Sequence, residues 1–296
     1  MNDIIPSSQG AAHDIDTDID FERRFGGIAR LYGAPALERY RAAHICVIGV
    51  GGVGSWIVEA LARSAIGRLT LIDLDNVAES NINRQIQALT DTVGMAKVTA
   101  LRQRIAQINP YCQVTEIEDF VTPDNLDEMI GGHDYDYVID AMDSARAKTA
   151  LVHYCRTRGI RLIMIGSAGG KTDPTKIEVR DLARTEQEPL LKKVRRRLRS
   201  QFNYPPNGKN KLGVDAVFSM EPLKFPETGE VCEVDADDAP PVKAGLTGIN
   251  CAGFGSAVVV TATFGMVAAG HVLAKLAEEV APAAPAGTSE AAAGKG

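Results

Sequence analysis

Short apolar runs alternate with amphipathic stretches along most of the chain. The runs are rich in β-branched residues and bounded by turn residues, which predicts buried strands at 44–50, 68–73, 113–118, 136–140 and 161–166. Between them, apolar residues recur at helical spacing, which predicts helices at 55–66, 94–109 and 145–159. Strands and helices that alternate in this order predict an α/β fold with a doubly wound, Rossmann-like, mostly parallel sheet.

The pattern loosens towards the C-terminus. Strand-like runs at 177–182 and 213–220 flank a basic amphipathic stretch at 188–201, which predicts a mixed C-terminal extension over about 171–280. Residues 251–274 are apolar and contain no Asp, Glu, Lys or Arg, which predicts a final apolar helix. Its many small residues favour a buried helix at a subunit interface. Membrane association is the alternative, because its length could cross a bilayer.

The two ends of the chain differ in composition from the rest. Residues 1–20 contain five aspartates and no Lys or Arg, and residues 281–296 consist mainly of Ala, Pro and Gly. Such segments bury little apolar surface, which predicts disordered tails around one folded region at 21–280. The N-terminus lacks the basic start and long apolar run of a signal peptide, so we expect a cytoplasmic protein.

A glycine cluster lies between the first predicted strand and the helix that follows it. Its glycines are Gly49, Gly51, Gly52 and Gly54, and their spacing matches the G-x-G-x-x-G pattern of nucleotide-binding loops. The pattern permits a tight turn, lets backbone amides approach phosphate, and lets helix and strand pack closely. The next strand ends with Asp73 and Asp75, where a carboxylate can hold ribose hydroxyls. These features predict a nucleotide site.

Polar residues after the second strand argue against a simple NAD site. Such a site needs no basic cluster, whereas Arg and Lys clamp phosphates and stabilise the charge that develops during phosphoryl transfer. The fourth strand ends in Asp140, and Asp143 follows at the same sheet edge, where a carboxylate suits Mg²⁺. Together these residues predict an ATP site that supports attack on the α-phosphate. The polar cluster comprises Asn81, Asn83, Arg84, Gln85 and Lys97.

Charge along the chain bears on whether nucleic acid is a partner. The formal net charge is −6 and the pI about 5.5, which argues against a general nucleic-acid binder. Residues 184–211, however, contain nine basic and two acidic residues, a local charge of +7. The basic side chains of the helix predicted there either form a solvated face or contact phosphate. These residues are Lys192, Lys193, Arg195, Arg196, Arg197 and Arg199.

The five cysteines predict neither a zinc site nor a disulfide framework. They are odd in number and widely spaced, and no two form a C-x-x-C pair. Cys232 sits among acidic residues, which make a thiol less reactive, so we expect an incidental role for it rather than acyl transfer.

The order of these motifs resembles the adenylating domain of the ubiquitin-activating-enzyme-like (ThiF/MoeB/HesA) adenylyltransferase superfamily. The shared motifs are GxGGVGS, DLD, S-N-x-N-R-Q, V-G-x-A-K and D-A-x-D-S. The resemblance implies that Asp75 binds ribose and that Asp143 holds Mg²⁺. It further implies that Asn81, Arg84 and Lys97 bind the phosphates. It also implies a homodimer, in which an arginine before the glycine loop reaches the partner's active site. Arg30 is the candidate for this arginine, with Arg24 second.

Longer segments narrow the resemblance to the tRNA threonylcarbamoyladenosine dehydratases of that superfamily. They are RFGGIARLYG, NRQIQALTDTVGMAKV, EDFVTPDN, GSAGGKTDPTKIEV, KLGVDAVFS and GFGSAVVVTATFG, spread over about 21–277. The resemblance implies ATP-dependent dehydration of threonylcarbamoyladenosine next to the tRNA anticodon. The threonyl carboxylate is adenylated, and the modification then closes into a ring. Arg84, Lys97 and Arg30 would carry the catalysis by stabilising charge.

Other interpretations stay open on the sequence alone. The main alternative is an adenylyltransferase that activates the C-terminus of a ubiquitin-like sulfur carrier, although the paired C-x-x-C motif of those enzymes is missing here. A redox or non-enzymatic module that binds NAD is a third hypothesis. A monovalent cation (K⁺ or Na⁺) as a further cofactor and a cysteine desulfurase system as a partner are open as well.

Overall fold

A seven-stranded sheet forms the centre of the part of the chain that the structure describes. The structure is a computed structural model, and it describes residues 20–206, 210–224 and 254–281. The strands are β1 (His44–Ile48), β2 (Arg68–Ile72), β3 (Gln113–Ile117), β4 (Tyr137–Asp140), β5 (Leu162–Ile165), β6 (Ile177–Asp181) and β7 (Asp215–Ser219). Their order is β3-β2-β1-β4-β5-β7-β6, and all neighbours are parallel except β6 and β7. The predicted mostly parallel sheet with a mixed C-terminal extension is confirmed.

Helices cover both faces of the sheet. They are α1 (Phe21–Tyr32), α2 (Ala34–Ala42), α3 (Gly54–Arg63), α4 (Lys97–Ile108), α5 (Ala145–Arg158), α6 (Pro189–Phe202) and α7 (Val258–Glu278). Residues of α2, α3, α4 and α7 build the core on one face, and residues of α5 and α6 build it on the other. Along β1, Ile45 and Val47 enter the first core, whereas Cys46 and Ile48 enter the second. This burial on both faces explains why the strand is apolar at every one of these positions.

Helix α4 begins later than its apolar pattern predicts, and this difference affects the position of Lys97 in the site. The sequence predicts a helix from Gly94, but Gly94 has a φ of 88°, and Ala96 forms an isolated bridge with Asn76. The helix therefore begins at Lys97, whose backbone amide donates to the Asp75 carbonyl at 3.0 Å. This contact fixes Lys97 beside the end of β2.

The C-terminal helix α7 is buried on one face. Val260, Phe264 and Leu276 are inaccessible to solvent there. A Cβ on Gly265 would come within 2.8 Å of the Val53 carbonyl oxygen, so the helix packs closely against α3 at a small residue. The prediction of a packed apolar helix is confirmed for this face. Within the described residues, α7 is also the helix whose length and composition could span a membrane. A subunit interface and membrane association both stay predictions for its outer side.

Several sequence predictions fall outside the described residues. They concern most of the two tails, Cys232, Cys251 and the acidic loop at 227–238. Asp20 is described, and its side chain caps α1 by accepting a hydrogen bond from the Arg23 amide at 3.1 Å. The folded region therefore includes the last residue of the predicted N-terminal tail.

Candidate functional site

At two positions of the loop after β1, neighbouring backbone atoms come so close that only glycine fits. Gly49 has a φ of 81°, and a Cβ there would lie 2.9 Å from the Ala141 carbonyl oxygen. A Cβ on Gly54 would lie only 1.8 Å from the carbonyl oxygen of Gly49. Any side chain at Gly54 would therefore separate α3 from β1. The loop is held at the switch point of the sheet, where β1 pairs with β2 on one side and β4 on the other.

Asp73 positions this loop from the end of β2. Its two carboxylate oxygens accept hydrogen bonds from the backbone amides of Val50 at 2.8 Å and Asp75 at 2.9 Å. Burial raises the pKa of the Asp73 carboxyl, whereas Lys97 and the two amides favour its ionised form. Because its oxygens are engaged with backbone amides, Asp73 supports the glycine loop, whereas the side chain of Asp75 is exposed.

Lys97 is a buried cation at the centre of the site. It is 6% exposed, and its Nζ lies 2.6 Å from Asp75 Oδ2 and 3.8 Å from Asp73 Oδ1. A lysine held by two carboxylates at the end of a strand has little conformational freedom left to lose when it binds an anion. The geometry places a fixed positive charge beside the glycine loop.

The other members of the polar cluster also lie beside the glycine loop. Arg84 Nη1 donates to the Ser80 carbonyl at 2.7 Å and to Asn83 Oδ1 at 3.0 Å, and the Arg84 side chain lies 3.3 Å from the Cβ position of Gly52. The Asn83 amide donates to the Ser256 carbonyl at 2.9 Å. These contacts hold the Arg84 side chain close to the glycine loop. Asn81 and Gln85 are buried and complete the cluster.

Two adjoining cavities meet at these residues. The first cavity, of about 530 Å³, is bounded by the ends of β1 and β2 and by residues 119–124. The second cavity, of about 560 Å³, is bounded by residues 80–85 and 166–168 and by Leu190. Both are the size of small-molecule sites. The residues that line both are Gly51, Asp75, Lys97, Ala141, Met142 and Asp143.

Asp140 does not reach either cavity, contrary to its predicted nucleotide contact. It is fully buried, and its Oδ1 lies 3.0 Å from Lys148 Nζ, which is also fully buried. Lys148 Nζ further donates to the carbonyls of Asp140 at 3.1 Å and Ile165 at 2.8 Å. The motif D-A-x-D therefore supplies one core ion pair, at Asp140, and one exposed carboxylate, at Asp143.

The basic helix α6 presents most, but not all, of its charges outward. Arg195 is 7% exposed and donates to Thr185 Oγ1 and to the Leu182 carbonyl. Burial lowers the pKa of its guanidinium. A phosphate contact at Arg195 would require the side chain to leave this buried position, because the residue lies on the same helix face as Leu191, Val194 and Leu198. The remaining basic residues are exposed or half-buried; they are Lys192, Lys193, Arg196, Arg197 and Arg199.

The two arginines proposed to act on a partner site differ in their contacts. Arg24 Nη1 donates to the carbonyls of Gln107 at 3.0 Å and Ile108 at 2.7 Å, at the end of α4. Arg24 also lines a separate cavity between α1 and α4. Arg30 is exposed on the last turn of α1. Arg24 thus has partners within its own chain, and the contact of Arg30 with a partner subunit stays a prediction.

Sequence reasoning missed residues that shape the site without matching a motif. Gln87 is 2% exposed, and its amide donates to the Val50 carbonyl at 3.1 Å and to Gln85 Oε1 at 3.0 Å, which ties the polar cluster to the glycine loop. The loop at 119–124 forms one wall of the first cavity, and Arg146 lies at its rim. The sequence could have indicated these residues only by their position after strands, because loops that follow strands gather at the carboxyl edge of a parallel sheet.

The fold and the site together define a nucleotide-binding α/β protein whose phosphate-binding charges lie at the sheet's switch point. The chain belongs to the ThiF family, whose sequence model matches residues 25–291. The chain is 53% identical over 263 residues to the tRNA threonylcarbamoyladenosine dehydratase of Escherichia coli (strain K12), covering 88% of this chain and 96% of that protein. The Haemophilus influenzae enzyme of the same name is 50% identical, covering 87% and 94%. A solved structure of the E. coli dehydratase in complex with ATP matches with a TM-score of 0.77 at 50% identity, covering 88% of this chain and 97% of that one.

Proposed function

We propose that this chain is an ATP-dependent enzyme that dehydrates threonylcarbamoyladenosine in tRNA to a cyclic product. The observation that carries the proposal is the junction of the two cavities, where Lys97, Asp75 and Asp143 border both. ATP in the first cavity would present its phosphates to a substrate arm in the second. The near-full-length likeness to dehydratases supports tRNA as the substrate.

The first chemical step joins the threonyl carboxylate to the α-phosphate of ATP. The carboxylate oxygen attacks phosphorus, the bond to the β-phosphate oxygen breaks, and pyrophosphate leaves. The chain supplies no nucleophile for this step. Lys97 and Arg84, which line the second cavity together with the loop glycines, stabilise the negative charge that develops on the transferring phosphoryl group. The loop amides and the positive N-terminus of α3 hold the phosphates in place.

The second step closes the ring. A nucleophilic atom of the carbamoyl group attacks the activated carbonyl carbon, and AMP leaves with one of the original carboxylate oxygens. The net change is the loss of one water from the modified nucleoside. Because both reacting groups belong to one arm, the protein's contribution is to position that arm and to exclude water.

The residues present fit a magnesium ion at Asp143. Asp143 is exposed at the corner between the two cavities, and Mg²⁺ commonly binds through one carboxylate together with substrate phosphates. Among the described residues, there is no cluster of three His, Cys, Asp or Glu that would form a cage of protein ligands. The ion would neutralise phosphate charge there. The monovalent cation and the cysteine desulfurase system stay predictions.

The enzyme acts as a homodimer in this proposal, with Arg30 reaching the partner's site. Mixing two inactive variants tests the arrangement. R30A and K97A homodimers should both be inactive, but a mixed dimer contains one site with an intact Lys97 and an intact Arg30 from the other chain. Recovery of dehydration after subunit exchange supports Arg30 in trans. No recovery in a verified mixed dimer contradicts it.

The function itself is tested by incubating the chain with ATP, Mg²⁺ and tRNA carrying the modification. Mass spectrometry of the digested nucleosides should show the dehydrated form, and the K97A variant should not produce it. The alternative, activation of a sulfur carrier, predicts pyrophosphate release with a small Gly-Gly-tailed protein and none with tRNA. That result would overturn the proposal.

A further inference from the structure

Glu188 is a buried carboxylate that joins two parts of the molecule. It is 4% exposed and stands at the N-terminus of α6, where its side chain accepts a hydrogen bond from the Leu191 amide. Its other oxygen, Oε1, accepts from the Ser167 amide at 2.8 Å. Ser167 follows β5 and lines the second cavity, so one side chain links a wall of that cavity to the basic helix.

The backbone around Glu188 leaves this link little freedom. A Cβ on Gly166 would lie 2.9 Å from Glu188 Cγ, so the chain after β5 passes directly over the carboxylate. Gln187, the residue before it, has a φ of 52°, which is unusual for a residue with a side chain. A residue persists in that region only where its surroundings hold it.

Two buried lysines compensate the charge of Glu188. Lys171 is 3% exposed and donates to the Gln187 carbonyl at 3.2 Å. Lys148 donates to the Ile165 carbonyl at 2.8 Å and pairs with Asp140, below the loop that carries Asp143. Burial raises the pKa of the Glu188 carboxyl, whereas its amide donors and the two lysines favour the ionised form. The polar network thus runs from the end of β4 to α6.

We propose that Glu188 is a positioning residue for the reaction, locking the wall at 166–168 of the second cavity to the first turn of α6. This inference rests on the proposed function. A tRNA held by the basic face of α6 must place its carboxylate arm at a fixed distance from the α-phosphate. Leu190, two residues after Glu188 in the first turn of α6, lines the second cavity itself, so a shift of the helix start moves the cavity wall.

A carboxylate that only caps a helix would not move a cavity wall when it is replaced. Asp181 provides the matched comparison, because its carboxylate likewise accepts hydrogen bonds from backbone amides, those of Ala183 at 2.9 Å, Leu212 at 2.9 Å and Gly213 at 2.7 Å. Asp181 lies at the end of β6 and lines neither cavity. Replacing either residue by its amide removes one acceptor with almost no change in volume.

The experiment compares E188Q, E188D and D181N with the wild type. Each is measured for dehydration kcat at saturating ATP and tRNA, KM for tRNA, Kd for ATP, and Tm. For E188Q we expect kcat to fall about ten- to a hundredfold, with the Kd for ATP changed less than about twofold. E188D keeps both acceptors and should recover most of kcat. D181N should lower Tm but leave kcat within about twofold of the wild type.

The outcomes separate the two proposals. A wild-type chain that does not dehydrate the modified tRNA contradicts the proposed function and this role with it. An active wild type with unchanged kcat in E188Q overturns the positioning role alone, as does an equal loss of kcat in D181N at equal Tm. If E188Q does not fold, G166A displaces the same carboxylate from the other side and should lower kcat with little change in the Kd for ATP, and an unchanged kcat in G166A overturns the positioning role.

Discussion

The cleft at the switch point and the basic face of α6 both present positive charge, but they hold it differently. In the cleft, Lys97 is buried between two carboxylates at distances of 2.6 and 3.8 Å. On α6, the basic side chains are exposed or half-buried along a helix whose orientation is set by its apolar stripe. A fixed charge suits the stabilisation of a transition state, whereas a broad, solvated charge suits a large polyanion. Changes in the cleft should therefore abolish chemistry, and changes on α6 should weaken binding.

The largest expected effect comes from the glycine loop. G54A would drive a Cβ to within 1.8 Å of the Gly49 carbonyl oxygen, so the helix must move away from the strand. We expect the free energy of unfolding to fall by about 3 kcal/mol or more, measured by urea denaturation. The control is G270A in α7, where a new Cβ meets no atom within 4 Å and should not destabilise the chain. Equal effects of the two variants would refute the close approach.

Lys97 should dominate the chemistry of the cleft. Replacing it with alanine removes the buried cation and leaves Asp75 and Asp73 facing each other without it. We expect K97A to lower kcat for pyrophosphate release about 100- to 1,000-fold. R102A removes an exposed cation from the same helix and should stay within about twofold of the wild type. A K97A enzyme with normal kcat would show that the fixed charge is not used.

Charge reversal on α6 should weaken tRNA binding and spare ATP binding. R196E/R197E changes two residues of the basic face, and we expect the Kd for tRNA to rise about tenfold or more, with a smaller dependence of log Kd on log salt. The matched control, R23E/R41E on α1 and α2, changes net charge equally at exposed positions. An unchanged tRNA affinity, or an equal loss in the control, would remove α6 from the substrate surface.

The smallest effect concerns a loop of the C-terminal extension. Burial alone would raise the pKa of Glu221, but hydrogen bonds from the Asp173 and Thr172 amides and from Lys224 lower it to about 2. A carboxylate with a lowered pKa stabilises the fold above its unfolded pKa of about 4.3, and this contribution is lost as the pH falls towards 2. E221Q should therefore destabilise the chain by about 1 kcal/mol at pH 6.

The pH dependence distinguishes this account from a simple loss of packing. The gap in unfolding free energy between wild type and E221Q should shrink between pH 6 and pH 3, measured by urea denaturation at each pH. A gap that is constant with pH would mean that the charge of Glu221 contributes nothing.

The sequence alone predicted the fold and the cleft well because both depend on local signals. Strand ends, glycine spacing and the carboxyl edge of a parallel sheet place Asp75, Lys97 and Asp143 without knowledge of long-range contacts. The start of α4 was predicted three residues too early, because an isolated bridge between Asn76 and Ala96 is a long-range contact. That same bridge helps to bring Lys97 to Asp75.

The burial of Asp140 and Arg195 was not expected from the sequence, and it has a common physical origin. Both are charged residues that lie inside the protein with a partner, Lys148 in one case and Thr185 in the other. A charge in a functional motif or a basic run is expected at the surface, since burying it unpaired is costly. Only the tertiary structure reveals a buried partner. Gln87 and Glu188 were missed for the same reason, because their contacts lie with residues distant in sequence.

In the proposed reaction, the substrate carboxylate is joined to the α-phosphate at the junction of the two cavities. The most direct test uses tRNA whose threonyl carboxylate carries a heavy isotope of oxygen. After reaction with ATP and Mg²⁺, mass spectrometry of the released AMP should show one labelled oxygen, and the pyrophosphate should show none. Label in orthophosphate, or a dehydrated product formed with unlabelled AMP, would contradict adenylation at this site.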